Sequence, residues 1–195
     1  MLKLLNLGIR GSFFGIIRSM YSNCKSCIKN GGLLSNTFSC LSGVRQGDVM
    51  SPNLFNIYIN DLPSIFDGDN DSPKLKDSSV HCLMYAVDLV LMSLSEVGLQ
   101  YKLDKLYEYC KKWGLEVNTK KTQVMAMSNS SEGVPNSIMR IGDATLEWVN
   151  SYKYLGILIN AKIGPSPGPN FKILTVILQV TEYLHTKCHH RTTSK

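Results

Sequence analysis

Asp88 is a candidate site residue because its carboxylate stands between two apolar runs, Cys82–Val87 and Leu89–Met92. An ionised carboxylate in such surroundings is costly to bury unless it is paired, hydrogen-bonded or bound to a metal ion. A break at Tyr85–Asp88 separates the runs and predicts a β-hairpin that pushes Asp88 out at its turn. A hairpin tip can hold a metal ligand rigidly, whereas an aspartate that serves only the turn is the simpler interpretation.

A loop with Arg45, Gln46 and Gly47 forms a second candidate site. It leads into a helix over about 53–65, because Ser51-Pro52 is a good start signal for a helix. Free backbone N–H groups and the positive end of a helix attract anions. The loop is therefore suited to cradle a phosphate or a sugar.

The elements around Asp88 are predicted from hydrophobic periodicity. Ser93 and Glu96 predict a capping box for a helix whose apolar stripe ends at Gly114, with Lys102 among the charged residues on its other faces. A turn is predicted next at 118–121, followed by a strand that ends at 127. Three short β-like runs are predicted after it, at 138–141, 145–149 and 152–159.

The acidic segment 67–71 begins like a calcium-binding loop. Its sixth position is Ser72 instead of glycine and its twelfth is Ser78 instead of glutamate, so the calcium pattern fails at the two positions that matter most. We predict a solvated acidic loop.

Composition favours one globular domain with an anionic partner. The chain has 195 residues, 44% of them hydrophobic, with a net charge of +6 and a pI near 9.0, which suits nucleic acid. No stretch is apolar enough to span a bilayer and no export signal is visible. We therefore expect an intracellular protein, in the cytoplasm or nucleus, with no membrane partner; its oligomeric state stays open.

Four ordered segments resemble motifs B to E of the reverse transcriptases of non-LTR (LINE-type) retrotransposons. Segment 43–58 resembles motif B, and Tyr85–Asp88 resembles the Tyr-x-Asp-Asp hairpin of motif C. Segment 114–122 is similar to motif D, and 152–156 to the primer-grip motif E. The resemblance implies an α/β (α+β) fold, with a palm-like antiparallel sheet backed by helices and truncated at both ends. It also implies an RNA template, a DNA primer and deoxynucleotides as partners, and Mg²⁺ as cofactor.

The resemblance also implies roles for individual residues. Arg45, Gln46 and Gly47 would line the incoming nucleotide, and Lys121 would donate a proton to the leaving pyrophosphate. Asp88 would be a catalytic metal ligand, and Tyr154, Leu155 and Gly156 would contact the primer. Each residue also has a simpler explanation: Arg45 and Lys121 as solvated charges, Gln46 as a turn residue, and the motif E aromatics as β-strand packing.

Departures from the family pattern affect the chemistry. Motif A is absent, and the first motif C aspartate is replaced by Val87, so Asp88 alone remains of three carboxylates. Two-metal catalysis needs clustered carboxylates, so we predict an incomplete metal site that does not bind Mg²⁺ productively. After residue 162 the helical thumb pattern is missing. We therefore divide the chain into a partial palm domain (1–162) and a divergent, poorly structured basic tail (163–195).

The sequence thus predicts a fragment of an RNA-directed DNA polymerase of retrotransposon origin that is catalytically defective. Two alternatives remain open: a non-catalytic nucleic-acid-binding protein, and a non-functional remnant of a retroelement. In the remnant, the missing motif A strand would leave a face of the core exposed.

Overall fold

The structure is a computed structural model that describes residues 1–40, 42–45, 47–129, 135–162 and 172–182. The described residues form two compact units, one over residues 1–59 and one over residues 60–181. Within the described ranges, no helix is both long and apolar enough to cross a membrane.

The first unit contains three helices and two small β-ribbons. β1 pairs antiparallel with β4, and β2 pairs with β3 around a two-residue turn of Gly31 and Gly32, both of which have positive φ. The elements are α1 (Leu2–Asn6), α2 (Gly11–Tyr21), β1 (Lys25–Ser26), β2 (Lys29–Asn30), β3 (Leu33–Leu34), β4 (Phe38–Ser39) and α3 (Ser51–Ile59).

The second unit combines one long helix with most of the strands. A 3₁₀ helix (Pro63–Phe66) precedes them. The elements are β5 (Lys74–Leu75), β6 (Ser78–Ser79), β7 (Cys82–Tyr85), β8 (Asp88–Ser93), α4 (Glu96–Trp113), β9 (Leu115–Val117), β10 (Gln123–Ser128), β11 (Met139–Ile141), β12 (Ala144–Trp148), β13 (Ser151–Tyr154), β14 (Ile157–Asn160) and β15 (Lys172–Glu182).

A seven-stranded sheet organises this unit, in the order β11-β12-β10-β15-β8-β7 with β9 also paired to β15. The β7–β8, β8–β15, β10–β15 and β11–β12 pairs are antiparallel, and β10–β12 is parallel. α4 packs on β8, β9 and β11. The prediction of a mixed α/β fold with a mainly antiparallel sheet and helices is therefore confirmed.

β15 corrects the prediction of a poorly structured tail. Lys172–Glu182 forms the strand between β8 and β10, and its residues Leu174, Val176 and Leu178 are almost fully buried. An apolar run is what a strand needs when strands flank it on both sides. The rest of the predicted tail, residues 163–171 and 183–195, lies outside the described residues.

The N-terminus of α4 differs in detail from the predicted capping box. The N-cap is Ser95, whose Oγ accepts a hydrogen bond from the Gly98 backbone N–H at 3.0 Å. The helix ends at Gly114, as predicted, with the left-handed backbone (φ 63°) that favours glycine.

A buried ionic cluster joins the acidic loop to α4. Lys102 is fully buried, and its Nζ lies 3.0 Å from Asp69 Oδ2 and donates to the Asp71 carbonyl at 3.0 Å and to Ser72 Oγ at 2.5 Å. The placement of Lys102 among charged residues on the outer faces of the helix was therefore wrong. The acidic loop is exposed at Asp67, Gly68 and Asn70, as predicted, whereas Asp69 and Asp71 are half-buried. We call Asp69, Asp71, Ser72, Ser95 and Lys102 the Lys102 cluster.

Asp71 fixes the start of α4 within this cluster. Its Oδ2 accepts hydrogen bonds from Ser93 Oγ at 2.7 Å and Ser95 Oγ at 2.6 Å. A Cβ at Gly98 would lie 1.6 Å from the same oxygen, so the close approach requires glycine. Burial alone would raise the pKa of Asp71, but the hydrogen bonds from Ser95 and Ser93 outweigh it and lower the pKa.

Candidate functional site

The hairpin predicted at Asp88 is present. Tyr85 pairs with Asp88, and Ala86 and Val87 form a two-residue turn in which Ala86 has φ 50°. Asp88 is the first residue of β8 and is half-buried. The Val87 carbonyl accepts a hydrogen bond from the Val180 N–H at 2.8 Å, so β15 reaches up to the turn itself.

The Asp88 carboxylate is held by a residue that the sequence did not single out. Gln179 of β15 is its cross-strand partner, and Gln179 Nε2 donates to Asp88 Oδ1 at 2.8 Å. Gln179 is the one polar residue near the end of the apolar run 176–180. A polar residue within an apolar run was the signal available in the sequence. It did not indicate which strand would lie opposite Gln179.

The segment predicted as a single β-like run at 152–159 is a hairpin of β13 and β14. Tyr154 pairs with Ile157, and Leu155 (φ 48°) and Gly156 (φ 86°) form the turn. A left-handed backbone at a leucine costs roughly 1–2 kcal/mol. Three apolar side chains at this tip are exposed: Leu155 at 49%, Ile157 at 69% and Leu158 at 62%.

Two tyrosines of this hairpin lie within electrostatic reach of Asp88. Burial, followed by the negative charge of Asp88, raises the pKa of both Tyr152 and Tyr154. The Tyr152 hydroxyl also donates to the Lys121 carbonyl at 3.3 Å. The structure therefore brings the motif C carboxylate, the motif D turn and the motif E hairpin together.

Lys121 lies in the predicted turn between β9 and β10. Its backbone N–H donates to the Asn118 carbonyl at 3.0 Å, and Thr122 Oγ1 donates to the same oxygen at 2.8 Å. The Asn118 N–H in turn donates to the Gln179 carbonyl at 3.0 Å. The Lys121 side chain is exposed. We call Asp88, Lys121, Tyr152, Tyr154 and Gln179 the Asp88 site.

The motif B residues belong to the first unit. Arg45 is exposed, and its Nη2 donates to the Met20 carbonyl at 2.7 Å and contacts Cys24 Sγ at 3.2 Å. Gly47 has φ 84°, a backbone conformation that favours glycine. Gln46, the third predicted nucleotide-binding residue, lies outside the described residues.

The donor atoms around Asp88 do not match a two-metal site. Such a site needs clustered carboxylates that bridge two cations about 3.5–4 Å apart, whereas Asp88 has an apolar neighbour in Val87 and an amide partner in Gln179. Among the residues that the structure describes, no group of three or more His, Cys, Asp or Glu side chains is placed to hold a metal ion.

Comparison with known proteins identifies the class. The profile of the reverse transcriptase (RNA-dependent DNA polymerase) family matches residues 3–159, so the chain belongs to this family.

The relatives place it more narrowly, among non-LTR retrotransposon sequences. The chain is 26% identical over 156 residues to the RNA-directed DNA polymerase from mobile element jockey of Drosophila funebris, and covers 16% of it. It is 27% identical over 165 residues to the Pol polyprotein from retrotransposable element R2DM of Drosophila melanogaster, and covers 15% of it. It is 26% identical over 161 residues to the Pol polyprotein from element R2 of Popillia japonica, and covers 27% of it.

These alignments take up 77%, 79% and 79% of the chain. The chain thus spans less than a third of the length of each relative. The resemblance to a LINE-type reverse transcriptase is confirmed.

Proposed function

We propose that the chain is the palm-like segment of a retrotransposon RNA-directed DNA polymerase, and that it does not polymerise by itself. The observation that supports the proposal is the convergence at the Asp88 site, where the segments that resemble motifs C, D and E lie close to one carboxylate. The Asp88 carboxylate accepts a hydrogen bond from the Gln179 amide.

The missing chemistry follows from the ligand set. A metal pair activates the attacking hydroxyl and stabilises the leaving oxygen, and each cation needs carboxylate oxygens to hold it. Asp88 supplies one carboxylate, and Val87 offers no ligand atom in its side chain. By themselves these residues do not hold Mg²⁺ productively.

The remaining residues keep the roles that the family suggests for them. Arg45, Gln46 and Gly47 would contact the nucleotide, and Lys121 would face the leaving pyrophosphate. The exposed Leu155 and Gly156 at the turn after Tyr154 form a tip suited to pack against a primer strand. An RNA template, a DNA primer and deoxynucleotides are the corresponding partners.

Primer extension tests the catalytic part of the proposal. Four proteins are compared on RNA and DNA templates with Mg²⁺ or Mn²⁺: the chain as it stands, Val87→Asp, Val87→Asp joined to an upstream motif A segment, and that restored protein with Asp88→Asn. We expect extension only from the third. Extension by the unmodified chain would contradict the metal argument.

A non-catalytic nucleic-acid-binding function is the second candidate, favoured by the net charge of +6 and the exposed apolar tip of the β13–β14 hairpin. Binding through lysines and arginines releases counterions. The logarithm of the binding constant should therefore fall linearly with the logarithm of the salt concentration. Fluorescence anisotropy with a labelled primer-template from about 50 to 200 mM salt measures the slope. Salt-dependent binding without extension would support this function, and absence of binding at low salt would exclude it.

A further inference from the structure

β15 places a specific side chain opposite the hairpin carboxylate. Six residue pairs join β15 to β8 and six join it to β10, with Gln179 paired to Asp88. A shift of register by one residue would turn every buried side chain of β15 to the other face. Position 179 is therefore fixed next to Asp88 by the whole strand.

The Gln179 amide supplies what Asp88 would otherwise take from a cation or a charged group. A half-buried carboxylate needs a hydrogen-bond donor, a positive group or a metal ion. Gln179 Nε2 meets this need as a neutral donor at 2.8 Å. The amide thus satisfies the carboxylate while adding no negative charge to the site.

From these contacts we infer that, in the chain with Val87 at the turn, the residue at position 179 decides whether Asp88 takes part in a divalent-cation site. In the chain as it stands, the amide at position 179 leaves Asp88 as a single carboxylate with a neutral partner, whereas a carboxylate at the same position creates a cation site with Asp88. The inference rests on the proposed function only in treating Asp88 as the motif C carboxylate.

The physical reason is the short distance between directly opposite residues. Cross-strand neighbours have Cβ atoms about 4.5–5.5 Å apart. Two carboxylates at that distance repel each other, and a hard divalent cation that prefers oxygen ligands relieves the repulsion. Gln179→Glu is the matched change, because it replaces the amide nitrogen by oxygen and keeps the length of the side chain.

The test uses the full chain and Mn²⁺ as the probe. Mn²⁺ binding is followed by electron paramagnetic resonance, and the melting temperature is measured with and without Mn²⁺, for the wild type, Gln179→Glu and the exchanged pair Asp88→Asn with Gln179→Glu. We expect Gln179→Glu to bind Mn²⁺ at least tenfold more tightly than the wild type, and to gain melting temperature with the ion. The exchanged pair keeps one carboxylate and one amide, so it should behave like the wild type.

Each result decides the inference. Equal Mn²⁺ affinity in Gln179→Glu and the exchanged pair would overturn it, as would Asp88-dependent Mn²⁺ binding by the wild type. A further outcome is that Gln179→Glu fails to fold without a cation while the exchanged pair folds. In that case the inference requires that Mn²⁺ restores the folding of Gln179→Glu. If Mn²⁺ does not restore it, the inference is also overturned. If neither variant folds, position 179 does not tolerate a carboxylate and the inference is wrong.

The readout also separates this inference from the proposed function. Cation binding is measured without a primer or nucleotide, so failure of the restored polymerase to extend a primer leaves the Mn²⁺ result unaffected. A negative Mn²⁺ result likewise leaves the primer-extension test open.

Discussion

The Lys102 cluster and the Asp88 site treat carboxylates in opposite ways. In the cluster, Asp69 faces a fully buried ammonium group 3.0 Å away. At the hairpin, Asp88 is half-buried at a turn, and its hydrogen-bond partner is the neutral Gln179 amide. The ion pair joins the acidic loop to α4, whereas Asp88 lies next to the hairpin turn, at the start of β8, with a neutral partner. The difference separates a carboxylate held in a buried ion pair from one held by a single neutral hydrogen bond.

Removing the buried ammonium should have the largest effect. We expect Lys102→Met to lower the free energy of unfolding by about 3–5 kcal/mol, because it leaves the charge of Asp69 without its partner in a buried place. Denaturant unfolding measures the change. Lys111→Met, at an exposed position of the same helix, is the control. A loss no larger than that of the control would erase the distinction between the two regions.

Acid should weaken the Lys102 cluster through Asp69 and Asp71. Burial alone would raise the pKa of Asp69, but the hydrogen bond from the Asp71 N–H and the contact with Lys102 lower it. The pKa of Asp71 is lowered as well. A lowered folded-state pKa contributes stability above the unfolded value of about 3.9, and this stability is lost as the pH falls through the folded pKa.

The unfolding free energy measured from neutral pH down to pH 3 tests this expectation. The double variant Asp69→Asn with Asp71→Asn should show a flatter acid limb than the wild type. If the wild type and the double variant lose stability equally as the pH falls, the lowered pKa values of Asp69 and Asp71 do not contribute to the acid dependence.

Loss of the amide at the Asp88 site should have a smaller effect. We expect Gln179→Ala to destabilise the protein by about 1 kcal/mol, because one hydrogen bond to a carboxylate is lost at a half-buried position that water can reach. Thermal unfolding measures the change, with Gln179→Ala in an Asp88→Asn background as the second half of a double-mutant cycle. Purely additive losses would mean that the contact contributes nothing.

Relief of backbone strain at the β13–β14 turn should have the smallest effect and the opposite sign. Leu155→Gly should stabilise the chain by roughly 1 kcal/mol, because glycine adopts positive φ without steric penalty. Ile157→Gly, in the adjacent strand, should destabilise it. If Leu155→Gly also weakens primer-template binding measured by anisotropy, the strained leucine serves the nucleic-acid contact. Destabilisation by Leu155→Gly would show that its apolar contacts outweigh the strain.

Much of the candidate site was predictable because its signals are local. The two apolar runs around Asp88 indicated the β7–β8 hairpin correctly, although Asp88 is the half-buried first residue of β8 and not a residue of the turn. The 3.6-residue periodicity located α4, and Gly114 ends it as predicted. The family motifs were recognised from short ordered segments, and the roles assigned to Arg45, Gln46 and Lys121 stay predictions.

Three features were not predictable for a common reason. The burial of Lys102, the anchoring of Asp71 and the position of β15 all depend on partners far away in the chain. Lys102 follows the polar pattern of its helix, and only the acidic loop packed against it makes the position buried. A short apolar run such as 173–180 is consistent with several buried elements and does not specify its neighbours.

The sequence by itself determined the family, the carboxylate-bearing hairpin and the long helix, because periodicity, turn residues and ordered motifs act over a few residues. The tertiary structure alone decided that Gln179 lies on Asp88, two residues that are 91 positions apart. Strand order and register result from burying all strands in one sheet at once, so no local pattern contains them. The chemistry open to Asp88 therefore depends on a contact that only the folded chain creates.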